Sequence, residues 1–236
     1  MPDAPAPLLV VCALGIERRA LASGTGSAAG GAGDAGPVEV LRTGMGPERA
    51  ERAVARRLAE EPYHAAPVIA AGFCAGLLPE MRPGDVVVAD AVRADREGAG
   101  TTGCPDNGPL LDALALLGAR VHTGLLLGTD HVVRGAAGRA RLRERGAVAV
   151  DMESAVTLHT AAATAGAAAA SGFSAAAAAS GTRPVAAVRV VVDAPQHELV
   201  RFGTLRGGIA AYRVLSSVLP AFFEWHRQVM IPRRRS

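Results

Sequence analysis

Three carboxylates in this sequence stand just beyond short apolar runs: Glu153 after Ala147–Val150, Asp193 after Val185–Val192, and Glu17 shortly after Leu8–Ala13. Apolar runs of this length are strand-like, and the ends of buried strands are where α/β proteins hold their ligands. A carboxylate accepts hydrogen bonds on two adjacent oxygens, which suits the paired hydroxyls of a sugar. A second carboxylate in apolar surroundings has its proton affinity raised and can act as an acid. Glu153 and Asp193 together therefore point to chemistry on a nucleoside. Taken singly, each residue also has a structural reading. Glu153 and Glu17 stand where a helix starts and the macrodipole favours negative charge, and Asp193 before Ala194-Pro195 reads as an N-cap.

The elements that must position these groups follow from hydrophobic periodicity. Runs rich in Val, Ile and Leu at Leu8–Ala13, Val38–Arg42, Val68–Gly72, Asp85–Ala91, Val121–Leu127, Ala147–Val150 and Val185–Val192 alternate with Ala/Arg/Leu segments of helical period. Such alternation predicts a three-layer α/β/α fold around a central mixed, mostly parallel sheet. Glu48–Glu60 is predicted as a helix with Ala50, Ala53, Val54, Arg57 and Leu58 along one stripe. A final helix is predicted over about Gly207–Arg227, its Tyr212, Phe222 and Phe223 serving as core.

At 236 residues the chain suits one domain. Two segments interrupt its pattern. Residues 23–36 read as a Gly/Ala-rich mobile loop, and 161–182, nearly all Ala, Ser, Gly and Thr, as a protruding, partly disordered insertion whose alanines can extend a helix. Gly24-Thr25-Gly26-Ser27-Ala28-Ala29 imitates a dinucleotide-binding pattern but does not directly follow a strand, so it is discounted.

Composition removes several classes. Half of the residues are hydrophobic, yet no charge-free stretch has the density of a membrane span, and the polar start lacks the basic region of a secretory signal; a cytoplasmic protein is expected. All 25 basic residues are arginines, which excludes Schiff-base chemistry and a P-loop lysine. The three cysteines and six histidines are scattered without ligand spacing, so neither metal, disulfide framework nor cofactor is expected. The formal charge of +3 owes much to Arg233-Arg234-Arg235, read as a solvated tail rather than a nucleic-acid surface, with weak attraction to anionic lipid as the alternative.

The order of motifs carries a resemblance. Ala13-Leu14-Gly15-Ile16-Glu17, Thr43-Gly44-Met45-Gly46, Ala71-Gly72-Phe73-Cys74-Ala75-Gly76-Leu77, Val150-Asp151-Met152-Glu153-Ser154 and Arg189-Val190-Val191-Val192-Asp193 succeed one another as in the nucleoside phosphorylase and nucleosidase superfamily. The chain most resembles the adenosylhomocysteine/methylthioadenosine nucleosidase-like branch. The resemblance implies that Glu153 clamps the ribose 2′- and 3′-hydroxyls, Met152 packs on the sugar, Asp193 assists protonation of purine N7, and Glu17 activates water. It also places Gly72, Phe73, Asp130, Val132 and Arg189 around the substrate, and implies a small purine nucleoside as ligand and a homodimer as assembly.

Departures from the family pattern bear on the nucleophile and the substrate. Phosphorylases of the superfamily carry arginines around a glycine-rich loop and an Arg-containing run before a Gly-Ser pair; Ala70-Ala71-Gly72-Phe73 has neither that arginine nor that serine, which favours hydrolysis. Arg18 and Arg19 keep an anion, and so phosphorolysis, as the alternative. Val132 stands where the family places a base-stacking aromatic. The run Phe73-Cys74-Ala75-Gly76 and the basic tail are similar to a hopanoid-associated subgroup that acts on adenosine bearing a polycyclic lipid at the 5′ carbon. A non-catalytic nucleoside-binding homologue is the reading from a different class.

Overall fold

The computed structural model describes residues 6–25, 36–170, 183–194 and 204–230. Among these residues eight strands form: β1 (Leu8–Cys12), β2 (Val38–Arg42), β3 (Val68–Gly76), β4 (Val86–Ala94), β5 (Thr101–Gly103), β6 (Val121–Gly128), β7 (Ala147–Asp151) and β8 (Val185–Asp193). The helices among the described residues are α1 (Gly15–Thr25), α2 (Pro47–Leu58), α3 (Gly108–Leu116), α4 (Gly135–Glu144), α5 (Ser154–Ala170), α6 (Thr204–Ser217) and α7 (Leu219–Met230), with one 3-10 turn at Tyr63–Ala65.

The sheet is mixed and mostly parallel, as its Val-rich runs predict. Strands β2, β1, β3 and β8 run parallel to one another, as do β4, β6 and β7. The two blocks meet antiparallel, β8 against β4 and β3 against β7. The β3–β7 contact is confined to Ala75 opposite Val150 and Gly76 opposite Ala149. Both strands are at their last residues there, so the C-terminal ends of the two blocks converge. That convergence brings together loops from distant parts of the chain.

Apolar side chains alternate between two faces. Val68, Ala70, Val185 and Ala187 pack with Val54, Leu58 and Leu158 on one side. Ile69, Ala71, Ala186, Val188 and Val190 pack with Leu21, Leu110, Leu215, Phe222 and Trp225 on the other. Strands buried on both faces read as continuous apolar runs, which is why they were legible. Helix α2 presents Ala50, Val54 and Leu58 inward, and Arg57 lies 3.9 Å above the ring of Tyr63.

Three expectations change in the structure. The single terminal helix is two, divided after Ser217, because Pro220 lacks the N–H an uninterrupted helix needs and suits the first turn of a new one. The segment from Ala161 continues α5 as a regular helix through Ala170, as alanine favours; the rest of that insertion, 171–182, lies outside the described residues. So do 26–35 of the glycine-rich loop, Pro195 and the arginine tail. Strand β5, pairing antiparallel with β4, had no counterpart in the periodicity.

The three cysteines are free and buried, and burial pushes the Cys12 and Cys104 thiols up to about 12. Among the described residues no cluster of His, Cys, Asp or Glu could hold a metal ion, and no helix is long and apolar enough to cross a membrane.

Candidate active site

Glu17 lies in the first turn of α1, directly beyond β1, and is 2% exposed. Its Oε2 accepts the N–H groups of Ala13 at 2.9 Å and Leu14 at 2.8 Å, and its Oε1 accepts that of Phe73 at 2.7 Å. One oxygen serves the turn at the start of α1, as the helix-start reading expects, and the other crosses to β3. Phe73 packs its half-buried ring against the core cluster that includes Phe222 and Trp225, and its backbone N–H meets Glu17.

Gly72 is what permits this crossing. Its φ is +149°, and a Cβ placed on it would stand 2.4 Å from Glu17 Oε1 and 2.5 Å from Arg189 Nη1. Any side chain would collide with both charged groups.

Arg189 is paired with Gly72 across the β3–β8 ladder and is 1% exposed. Its Nε donates to Ser154 Oγ at 2.8 Å, its Nη1 to the Ala71 carbonyl at 3.3 Å, and its Nη2 lies 2.7 Å from Asp151 Oδ2. Arg189 is expected among the substrate-binding residues; each of its three nitrogens has a protein partner, and its guanidinium stands among buried carboxylates. Asp151 ends β7 and also accepts the N–H of Ser154 at the start of α5.

Glu153 follows at the β7–α5 junction, 8% exposed, with Oε1 accepting the Gly46 N–H at 2.9 Å. Burial pushes its carboxyl above the ordinary range; Arg189 and the Gly46 N–H pull the other way, while the charges of Asp151 and Glu17 add to the rise. Glu17, Asp151 and Glu153 are the three carboxylates acting on Arg189. One buried guanidinium therefore faces three carboxyl groups, a surplus of negative charge that suits a cationic transition state. Met152, half-buried, lies between Asp151 and Glu153.

Asp193 is placed differently. The β3–β8 register slips after Cys74–Val191, leaving Asp193 opposite Ala75. There its Oδ2 lies 2.6 Å from Arg139 Nη2 of α4. The apolar surroundings expected from strand β8 are thus interrupted by an arginine that the sequence reading did not include. Asp130 and Val132 stand exposed on the loop after β6, with Asp130 Oδ1 2.6 Å from His131 Nδ1. The root of that loop joins the site, since the Thr129 N–H donates to the Asp151 carbonyl.

The structure thus gathers Glu17, Gly72, Phe73, Glu153 and Arg189 into one cluster, with Met152 beside it. Asp193 ends an adjacent strand in its own ion pair, and Asp130 and Val132 rim the loop next to Asp151. Asp151, Ser154, Gly46 and Arg139 were missed. A signal existed for Asp151, because an arginine inside the apolar run Val185–Val192 requires a buried counter-charge. Gly46 contributes only its backbone, at φ +98°, and leaves no side-chain signature.

A family model described as the phosphorylase superfamily matches residues 17–219. No curated protein is a significant sequence match. Among solved structures, the 5′-methylthioadenosine/S-adenosylhomocysteine nucleosidase of Helicobacter pylori, in complex with butyl-thio-DADMe-Immucillin-A, superposes with a TM-score of 0.70 at 12% identity, covering 92% of this chain and 97% of that one. The futalosine hydrolase of Helicobacter pylori gives 0.68 at 13% identity, over 91% and 96% of the two chains. The 5′-methylthioadenosine/S-adenosylhomocysteine nucleosidase from S. pneumoniae, with the transition-state inhibitor MT-ImmA, gives 0.68 at 16% identity, over 92% and 98%. At such identities the likeness concerns the fold, while the match over residues 17–219 settles the lineage: the chain belongs to the phosphorylase superfamily.

Proposed function

We propose that the protein cleaves the N-glycosidic bond of a purine nucleoside by hydrolysis, releasing adenine from a ribose modified at its 5′ carbon. The observation that carries this reading is the cluster of Glu17 and Glu153 around Arg189 at the converging strand ends. Glu153 accepts the 2′- and 3′-hydroxyls, whose two donors match its two oxygens. Met152 packs on the sugar. Glu17 takes a proton from water as that water attacks C1′. Asp193, at the end of β8, serves the base and assists protonation of N7, so that the bond's electron pair leaves with a neutral purine. The surplus carboxylate charge stabilises the oxocarbenium-like sugar between them.

The exposed apolar side chains support an apolar 5′ substituent. Ile16, Met45 and Val132 are 52%, 60% and 64% exposed, and they follow β1, β2 and β6, whose ends border the cluster. Apolar surface in such a place suits either a ligand or a second copy of the chain. A homodimer in which a second copy completes the 5′ side is part of this reading, and size-exclusion chromatography with light scattering tests it.

Phosphorolysis is the second reading, favoured by one observation. Arg42 Nη1 lies 3.8 Å from where a Cβ on Gly15 would stand, and Arg49 Nη1 lies 3.6 Å from the corresponding point on Gly44. Two arginines beside glycines of the site loops could meet a phosphate. Incubating the protein with 5′-alkylthio adenosines, with and without phosphate, distinguishes the two. Adenine release without phosphate is the expected result; a strict phosphate requirement replaces hydrolysis with phosphorolysis, and nucleoside binding with no turnover leaves a non-catalytic homologue.

A further inference from the structure

Arg139 lies on α4, in a run of closely spaced arginines, yet it is 4% exposed while Arg141 and Arg143 are exposed. Its guanidinium bridges two strand ends, with Nη1 donating to the Gly76 carbonyl at 3.3 Å and Nη2 to Asp193 Oδ2 at 2.6 Å. A guanidinium beside a carboxylate usually makes two parallel hydrogen bonds. Here one is made. Among the described residues, Asp193 Oδ1 and Arg139 Nε are both buried and both without a hydrogen-bond partner. Buried polar atoms without partners are rare, because each costs desolvation with no return. These two atoms, one an acceptor and one a donor, leave the ion pair with hydrogen-bonding capacity that no described residue uses.

We propose that Arg139 is a positioning residue for the base-side step: by holding Oδ2 of Asp193 it leaves Oδ1 as the one carboxyl oxygen that faces the purine. This rests on the nucleosidase reading above and deepens it. A carboxyl group fixed at one oxygen cannot rotate, so the other oxygen keeps one direction toward N7. In the reaction, N7 takes a proton from solvent, balanced by the one Glu17 takes from the attacking water, while the electron pair of the C1′–N9 bond moves into the base. Asp193 stays a carboxylate held by Arg139, and its Oδ1 accepts the hydrogen bond that the new N7–H donates.

The test is a double-variant cycle on the full chain with a 5′-alkylthio adenosine as substrate, with thermal melting as the check on folding. Arg139→Met should lower kcat on the order of ten- to hundredfold, with a smaller change in KM because the ribose contacts remain. Combined with Asp193→Asn it should cost nothing beyond Asp193→Asn alone. Arg139→Lys, which keeps a charge but not the planar fork, should recover part of the rate. Losses that multiply in the double variant, or a wild-type kcat in Arg139→Met, overturn the positioning role and leave the nucleosidase reading standing. Should Arg139→Met fail to fold, Arg139→Lys decides: an intermediate kcat supports the role and a wild-type kcat overturns it. If the wild-type protein releases no base from any such nucleoside, both readings fall together.

Discussion

Arg189 Nη2 lies 2.7 Å from Asp151 Oδ2, and both side chains are 2% exposed. This pair spans β3, which lies between β7 and β8, and it crosses at Gly72 because that residue has no side chain. The site is therefore built around one buried cation. Replacing Arg189 by Met removes it and strands three carboxyl groups. Breaking a buried pair from one side costs about 3–5 kcal/mol, so equilibrium unfolding in denaturant should show a loss of that size. A change no larger than that of an exposed ion pair would contradict the assigned role.

Gly72→Ala should damage the site as strongly as loss of a catalytic group. The added methyl meets Glu17 and Arg189 at distances no real contact tolerates, on a backbone at φ +149°. Turnover and melting temperature should both fall. Gly118→Ala provides the contrast: it also has positive φ but finds nothing within 4 Å, so it should carry backbone strain while leaving turnover intact.

Glu153 gives the site a pH dependence with opposite signs for stability and binding. Its carboxyl is raised above the ordinary 4.5, chiefly by burial, so the folded protein binds more protons than the unfolded chain in the window just above that value. Stability of the free protein should therefore fall as pH rises through the window. Affinity for the ribose diol should instead weaken as pH falls through it, since a protonated carboxyl is a poorer acceptor. Melting curves against pH for the wild type and Glu153→Gln check the first, the variant showing a flatter profile; titration of a nucleoside inhibitor checks the second.

Glu153→Gln should also cost ribonucleosides more than their 2′-deoxy analogues, because only the former present the hydroxyl pair. Comparing kcat/KM for the two substrates in both proteins reads this directly. Equal losses would remove the ribose clamp.

Asp193→Asn should lower kcat by roughly two to four orders of magnitude, the range for general acid–base assistance to a leaving group. An unaffected rate would show that the Arg139-paired carboxylate takes no part in leaving-group chemistry.

Much of this arrangement was legible before the structure. Strands buried on both faces announce themselves as uninterrupted Val/Ile/Leu runs, so seven of the eight strands among the described residues could be placed; Glu153 stands out because such a run leads to it, whereas Glu17, four residues past its run, is singled out by the order of motifs. What stayed hidden depends on geometry that periodicity does not encode. The antiparallel meeting of β3 and β7 at their tips brings distant loops together, and a two-residue contact has no sequence signal. Arg139 could not be told from its neighbouring arginines, since only the orientation of α4 turns one of them inward. The division of the last helix was signalled by Pro220, but the apolar spacing from Tyr212 to Phe223 runs past it and concealed the break.

The most direct test of the central claim is the fate of oxygen during turnover. The reaction should be run in water enriched in heavy oxygen, with a 5′-alkylthio adenosine and inorganic phosphate both present, and the sugar product analysed by mass spectrometry. Hydrolysis with Glu17 as base predicts free 5′-alkylthio ribose carrying one heavy oxygen at C1, with adenine in equal amount. A sugar 1-phosphate without the label would contradict it.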